Sequence, residues 1–244
     1  MPNIRTYPDD HRLARAAAEH FVAVAASSIE ARGRFSVALS GGSTPRPAYE
    51  QLATSQFASR VDWPCVHVFW GDERCIPPDH SDSNYHMAHE ALIGHVPIPP
   101  ANVHRIHCEI EPSRAVAQYE RTLRKFFADA SHQSATTFDL LLLGMGTDGH
   151  TASLFPGSEL LQEQSRWVGP HYVDSASGWR VTLTPPVINA ARQVTFLVSG
   201  SAKAETLRRV LAGYHQPHLL PAQIVKPSSG SLLWMLDSDA ASRL

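Results

Sequence analysis

The chain has 244 residues, 43% of them hydrophobic, with 21 lysines and arginines against 23 aspartates and glutamates. That composition supports a full core, covering roughly 70–75% of the unfolded chain's surface, and a formal net charge of −2 excludes a strong non-specific nucleic-acid binder, which carries a basic excess. The longest unbroken run of leucine, isoleucine and valine is Leu140 to Leu143, far short of the ~20 residues of a membrane span.

Asp9 or Asp10 is placed to cap a first helix, whose apolar stripe of Leu13, Ala17, Phe21, Val24 and Ile29 follows the helical repeat until Gly33. Phe35 to Leu39 reads as a buried strand running into Ser40-Gly41-Gly42-Ser43-Thr44-Pro45. There Thr44 suits a helix cap and Pro45 the first helical position. Val66 to Trp70 is a second strand, ending in Gly71-Asp72-Glu73-Arg74. A loop from Ile76 to Ser81 and a helix from Ser83 to Ile93 follow. A short strand is expected at Val103 to Ile106 and a long helix from Arg114 to Ala130.

Phe138 to Leu143 is almost wholly apolar, as suits the centre of a parallel sheet. It leads into Gly144-Met145-Gly146-Thr147-Asp148-Gly149-His150. Beyond it come a strand at Arg180 to Leu183, a short helix near Val187 to Ala191 and a strand at Val194 to Val198. Ser199-Gly200-Ser201 opens a helix from Ala202 to Leu211, and Ser231 to Leu236 closes the series. Strands alternate with helices throughout, which predicts a single α/β domain over residues 1–244 with an open, mostly parallel sheet.

Each polar, glycine-rich motif directly follows an expected strand, where such sheets gather ligands. Ser40, Gly41, Gly42, Ser43 and Thr44 combine hydroxyls, close backbone approach and a helix start, the parts of an anion cradle. The plainer reading is a tight turn with a capped helix. Asp72, Glu73 and Arg74 read on their own as a surface ion pair; in a cleft, Arg74 offers bidentate anion recognition. The Gly144–His150 loop is harder to explain structurally. Its His150 is placed to serve as a general base, although most of the 14 histidines must be structural. Lys203, in a helix's first turn, opposes the dipole unless both share an anion; Arg180 begins another strand. No GxSxG elbow is present. Neither His86 and His89 nor His104, His107 and Cys108 has a further ligand at metal spacing, so no metal is expected. Cys65, Cys75 and Cys108 lack the spacing of a disulfide framework. No secretory signal pattern is seen, and a soluble cytoplasmic protein is expected.

Six stretches in order, LSGGSTPRPAYE (39–50), FWGDERCIPPDHSDSNY (69–85), LLLGMGTDGHTASLFP (141–156), RVTLTPPVINAA (180–191), VSGSAKAETL (198–207) and PAQIVKPSSGSLLWMLD (221–237), resemble the 6-phosphogluconolactonase family. The GxGxDGH element alone is shared with the related glucosamine-6-phosphate deaminases. The resemblance implies a Rossmann-like open sheet with helices on both faces, the fold of the NagB/RpiA/CoA transferase-like group. It also implies hydrolysis of 6-phospho-D-glucono-1,5-lactone in the oxidative pentose phosphate pathway, without metal or cofactor. By the same resemblance, His150 is the base that activates water and Asp148 orients it. Arg74 or loop N–H groups meet the carbonyl oxygen, the Ser40–Thr44 loop with Lys203 and Arg180 holds the phosphate, and Asp72, Asn84 and Gly146 complete the substrate site.

The expected partner is a small sugar-phosphate lactone, with neither nucleic acid nor membrane, and the expected state a monomer or weak homodimer. A deaminase-like enzyme is the nearest alternative, but deaminases carry a glutamate soon after the histidine, and here the first acid is Glu159. A non-catalytic sugar-phosphate-binding regulator is the other. One departure from the family is Pro185-Pro186, with proline where leucine is usual, at the start of the short helix.

Overall fold

A computed structural model describes residues 3–128, 137–173 and 178–244. Strand β1 (Asn3–Tyr7) precedes helix α1 (Asp10–Arg32). The Asp9 carboxylate accepts the Arg12 N–H at 2.7 Å and so satisfies one orphan donor of the first turn. Gly33 closes the helix at φ 71°, its N–H on the Ile29 carbonyl, the left-handed cap that glycine adopts without strain. Strand β2 (Phe35–Leu39), helices α2 (Arg46–Ala53) and α3 (Ser55–Ala58), strands β3 (Val66–Trp70) and β4 (Asp72–Arg74) and helix α4 (Asn84–Ala91) follow. Helix α5 (Pro112–Ala128) turns Ala115, Tyr119, Leu123 and Phe127 inward; the last residues expected in it, 129 and 130, lie outside the described residues.

Strand β5 is Leu140–Leu143, with all four leucines buried. Strands β6 (Val168–Val173) and β7 (Gly178–Leu183), helix α6 (Pro185–Ala190), strand β8 (Gln193–Val198), helix α7 (Ala204–Ala212) and strand β9 (Ser231–Asp237) complete the chain. Pro185 and Pro186 sit in the first turn of α6, where a missing N–H costs nothing.

Six strands form a parallel sheet in the order β1-β9-β8-β5-β2-β3, with the apolar β5 inside it as expected. Side chains of β9 alternate between two faces. Leu233 and Met235 pack with Leu13, Ala14 and Ala17 of α1. Trp234 turns the other way, stacking on Phe196 at 3.9 Å and sharing a groove with Val210 and Leu211 of α7. Helices therefore cover both faces, and both sides of each central strand are apolar.

Four expectations require correction. Asp72–Arg74, expected only as the polar end of the second strand, is a strand of its own, and it pairs antiparallel with β7 in a second sheet of order β4-β7-β6. The strand at Arg180–Leu183 therefore belongs to that small sheet and not to the main one. Val103 to Ile106 forms a single bridge, Val103 to Val68, and no strand; its backbone is taken into a turn by Ile106, whose carbonyl accepts the Cys108 N–H. Finally, Pro45 and not Thr44 holds the N-cap position of α2, with no side-chain cap.

Candidate active site

Strand ends converge on one cleft of about 210 Å³. It lies where the strand order reverses, since the chain leaves β2 for β3 on one side and returns across it to β5 on the other. Open α/β sheets use that crevice for ligands.

The β2 end supplies the loop Ser40, Gly41, Gly42, Ser43 and Thr44, all in the lining. A Cβ at Gly41 would fall 1.8 Å from Asn84 Oδ1, so glycine is what lets the loop pass beneath that amide. The loop's root is pinned by buried Tyr49 of α2, whose hydroxyl receives the Ser40 N–H at 3.1 Å and donates to the Ser40 carbonyl at 3.0 Å. Ser40 Oγ is buried, and among the described residues it has no hydrogen-bond partner, a state that calls for an explanation. Thr44, free of capping, faces Lys203 with Nζ 3.5 Å from Oγ1. Burial lowers the Lys203 pKa, and the Asp237 carboxylate opposes that shift. Asp237 also accepts from Ser199 Oγ at 2.6 Å and from the Gly200 N–H at 3.0 Å, fixing the turn that carries the lysine.

At the β3 end, Asp72 is buried and bridged on both sides. Ser153 donates to its Oδ2 at 2.7 Å, and Asn84 Nδ2 to its carbonyl at 2.9 Å. Glu73 turns away from the cleft. Its carboxylate accepts the N–H groups of Arg74, Asn84 and Tyr85 at 2.7–2.8 Å and the Ser83 hydroxyl at 3.1 Å. Burial pushes its pKa up while those N–H groups pull it down. Glu73 is thus the anchor of the α4 N-terminus, the helix that presents Asn84. Arg74 lines the cleft and donates Nη1 to the Asp82 carbonyl. Arg180 is its register partner on β7 but is not in the lining; burial and then the Arg74 charge lower the Arg180 pKa.

The β5 end carries the Gly144–His150 loop. His150 Nδ1 lies 2.6 Å from Asp148 Oδ1. Partial burial acts to raise the Asp148 pKa, but the hydrogen bond and charge of His150 outweigh it, so the carboxyl sits below its ordinary value. A Cβ at Gly146 would fall 2.2 Å from His150 Nδ1 and 2.6 Å from Asp148 Oδ1. Phe155 stacks on the imidazole at 4.4 Å and on His171 at 5.3 Å. Ala152, also in the lining, holds φ at 47°, a left-handed conformation that costs energy without glycine.

Comparisons with known proteins identify the family. The family model described as glucosamine-6-phosphate isomerases/6-phosphogluconolactonase matches residues 8–234. The chain belongs to this family. A 6-phosphogluconolactonase of Nostoc sp. is 40% identical over 242 residues, covering 99% of this chain and 98% of that protein. One from Synechocystis sp. is 42% identical over 219 residues, covering 89% and 88%. The solved 6-phosphogluconolactonase of Trypanosoma brucei superposes with a TM-score of 0.87 at 29% identity, covering 100% of this chain and 99% of that one.

Within this glucosamine-6-phosphate isomerase/6-phosphogluconolactonase chain, the candidate residues read from the sequence come together, with two qualifications. Asp148 stands behind His150, and Arg180 behind Arg74, rather than in the lining. Glu159, the first acid after His150, is exposed and outside the cleft. Three supporting residues were not singled out from the sequence: Ser153, Phe155 and Asp237. The first two lie just past the Gly144–His150 loop, in the stretch 141–156, where their hydroxyl and ring could have been read as partners of Asp72 and His150. Asp237 meets Gly200 only through the pairing of β8 with β9, which no local pattern announces. Among the described residues, no group of three or more His, Cys, Asp or Glu is placed to hold a metal ion, and no helix is long and apolar enough to cross a membrane.

Proposed function

We propose that the chain hydrolyses 6-phospho-D-glucono-1,5-lactone to 6-phospho-D-gluconate in the oxidative pentose phosphate pathway, in the cytoplasm. The observation that carries this reading is the Asp148–His150 pair, held at 2.6 Å beside a cleft whose other wall is a hydroxyl- and lysine-bearing anion cradle. Asp148, ionised, accepts the Nδ1–H hydrogen bond, which holds the proton on Nδ1 and leaves the Nε2 lone pair for a water. That water attacks C1 of the lactone as Nε2 takes its proton, and the imidazolium then protonates the departing ring oxygen. No covalent nucleophile is needed, because the lactone carbonyl is already electrophilic.

Negative charge developing on the carbonyl oxygen is met by Arg74 or by N–H groups of the Gly144–Gly146 loop. Lys203, with the Ser40–Thr44 loop, holds the 6-phosphate, and the energy of that remote contact orients C1. A dianion beside Lys203 supports its charge where burial alone opposes it. Asp72, fixed by Ser153 and Asn84, accepts from sugar hydroxyls. Arg180 contributes through its charge behind Arg74 and not by contact.

The test is lactone hydrolysis with substrate generated in situ and the acid product detected by a coupled dehydrogenase. A saturable rate well above the protein-free blank is the expected result. A rate equal to the blank from folded protein would reject the reading.

A further inference from the structure

We propose that Cys75 and Cys108 form a reversible disulfide that couples the oxidation state of the surroundings to the substrate cleft. The Sγ atoms of the two residues lie 3.4 Å apart, though 33 positions separate them in the chain. A disulfide needs S–S near 2.05 Å, so closure asks for a movement of roughly 1.4 Å. All three cysteines are free thiols here, and among the described residues no second sulfur is seen beside Cys65.

The two thiols differ in a way that assigns their roles. Cys75 is half-buried, whereas Cys108 is buried at 2% exposure. The Cys108 hydrogen bond, then the nearby Arg180 guanidinium, favours the Cys75 thiolate over the opposing effect of burial. The same contact and deeper burial hold the Cys108 proton in place. Cys75 is therefore the attacking sulfur and Cys108 the resolving one.

With a low-molecular-weight disulfide as oxidant, the Cys75 thiolate attacks one of its sulfurs. A mixed disulfide forms and a small thiolate leaves, taking up the Cys108 proton. Cys108 sulfur then attacks Cys75 Sγ and expels the second small thiolate. Two protein thiols are oxidised to one disulfide, and one small disulfide is reduced to two thiols.

Position gives the bond its consequence. Cys75 directly follows Arg74, which lines the cleft, and its N–H is tied to the Trp179 carbonyl at 2.9 Å at the end of β4. Cys108 Sγ lies 3.9 Å from the Glu73 carbonyl on the same strand. Drawing Cys75 toward Cys108 displaces the strand end that aims Arg74.

The experiment incubates the full chain, freed of reductant, with oxidised glutathione, followed by non-reducing peptide mapping and by lactonase kinetics before and after dithiothreitol. Peptides holding Cys75 and Cys108 are expected joined, with KM raised roughly tenfold, the loss of one charge-assisted hydrogen bond, and restored by reductant. Cys75→Ser is expected to keep the reduced-state KM under oxidant. Glutathione retained on Cys75 with no link to Cys108 would overturn the pairing. A link that leaves KM unchanged would overturn its coupling to the cleft. The kinetic arm rests on the proposed lactonase activity, whereas the mapping does not, so an inactive reduced chain would reject that activity while the pairing is still decided.

Discussion

A single carboxylate oxygen of Asp148 takes both contacts with His150, Nδ1 at 2.6 Å and the backbone N–H at 3.1 Å. The aspartate thereby sets the ring's orientation and its tautomer together, and its depressed pKa keeps it ionised at neutral pH. His150→Ala is expected to fold and to lower kcat by about 10²–10⁴, with KM little moved. Asp148→Asn keeps the shape but accepts Nδ1–H less well, so kcat should fall while added salt and thermal stability change little. Retained turnover in His150→Ala would place the base elsewhere.

Gly146 tests the same pair from the other side. A methyl group there would meet the ring at 2.2 Å and the carboxylate at 2.6 Å, far inside ordinary contact. Gly146→Ala should therefore turn the imidazole away and reduce kcat, while circular dichroism stays that of the parent. A fully active Gly146→Ala would show that the ring's placement is not what limits turnover.

Lys203 and Thr44 close the far wall at 3.5 Å. Removing the ammonium takes away a charge-assisted contact, about 1.5–3 kcal/mol, so Lys203→Ala should raise KM roughly 10- to 100-fold with a smaller effect on kcat. Steady-state kinetics over a wide lactone range decides it. An unchanged KM would remove Lys203 from phosphate binding.

Much of this arrangement was legible in the sequence, for definite physical reasons. Leu140 to Leu143 read as an inner strand of a parallel sheet because the run is short, wholly apolar and ends in glycine, and the glycine runs after β2 and β5 marked tight turns at strand ends. The small antiparallel sheet was not legible. Asp72-Glu73-Arg74 carries three charges in three residues, and Val168–Val173 contains Gly169 and Pro170, so neither shows strand alternation; pairing with β7 makes them strands. Glu73 was misread for the same reason. Its partners, the N–H groups of Asn84 and Tyr85, lie over ten residues away, and an acid beside an arginine reads locally as an ion pair.

That buried carboxylate gives a stability prediction. Each Glu73 oxygen accepts from two donors, and an amide nitrogen in place of either would face donors of its own kind. Glu73→Gln should cost about 2 kcal/mol, a fall in Tm of about 4–8 °C for a chain of this size. Because α4 then loses its anchor, KM should also rise through Asn84. A Tm within a degree of the parent, measured by scanning calorimetry, would contradict the anchoring role.

The acid limb of stability should come from histidines remote from the cleft. His20, with Nε2 3.1 Å from Thr195 Oγ1, has its pKa lowered to about 4 by burial and by the Arg5 charge. His104, 3.3 Å from His67, is lowered to about 4 by burial and by that neighbour; His67 itself is lowered by burial and by Arg34. In the window from 6.5 down to about 4 the unfolded chain therefore binds protons that the folded chain refuses. Stability rises with pH across that window and is lost progressively as pH falls through it. Urea unfolding at neutral pH and near pH 5 should give a clearly smaller free energy at the lower pH. His20→Gln and His104→Gln remove one such proton each, so both should flatten the dependence even where they weaken the fold at neutral pH. Parent-like slopes in both variants would assign the acid sensitivity to other groups.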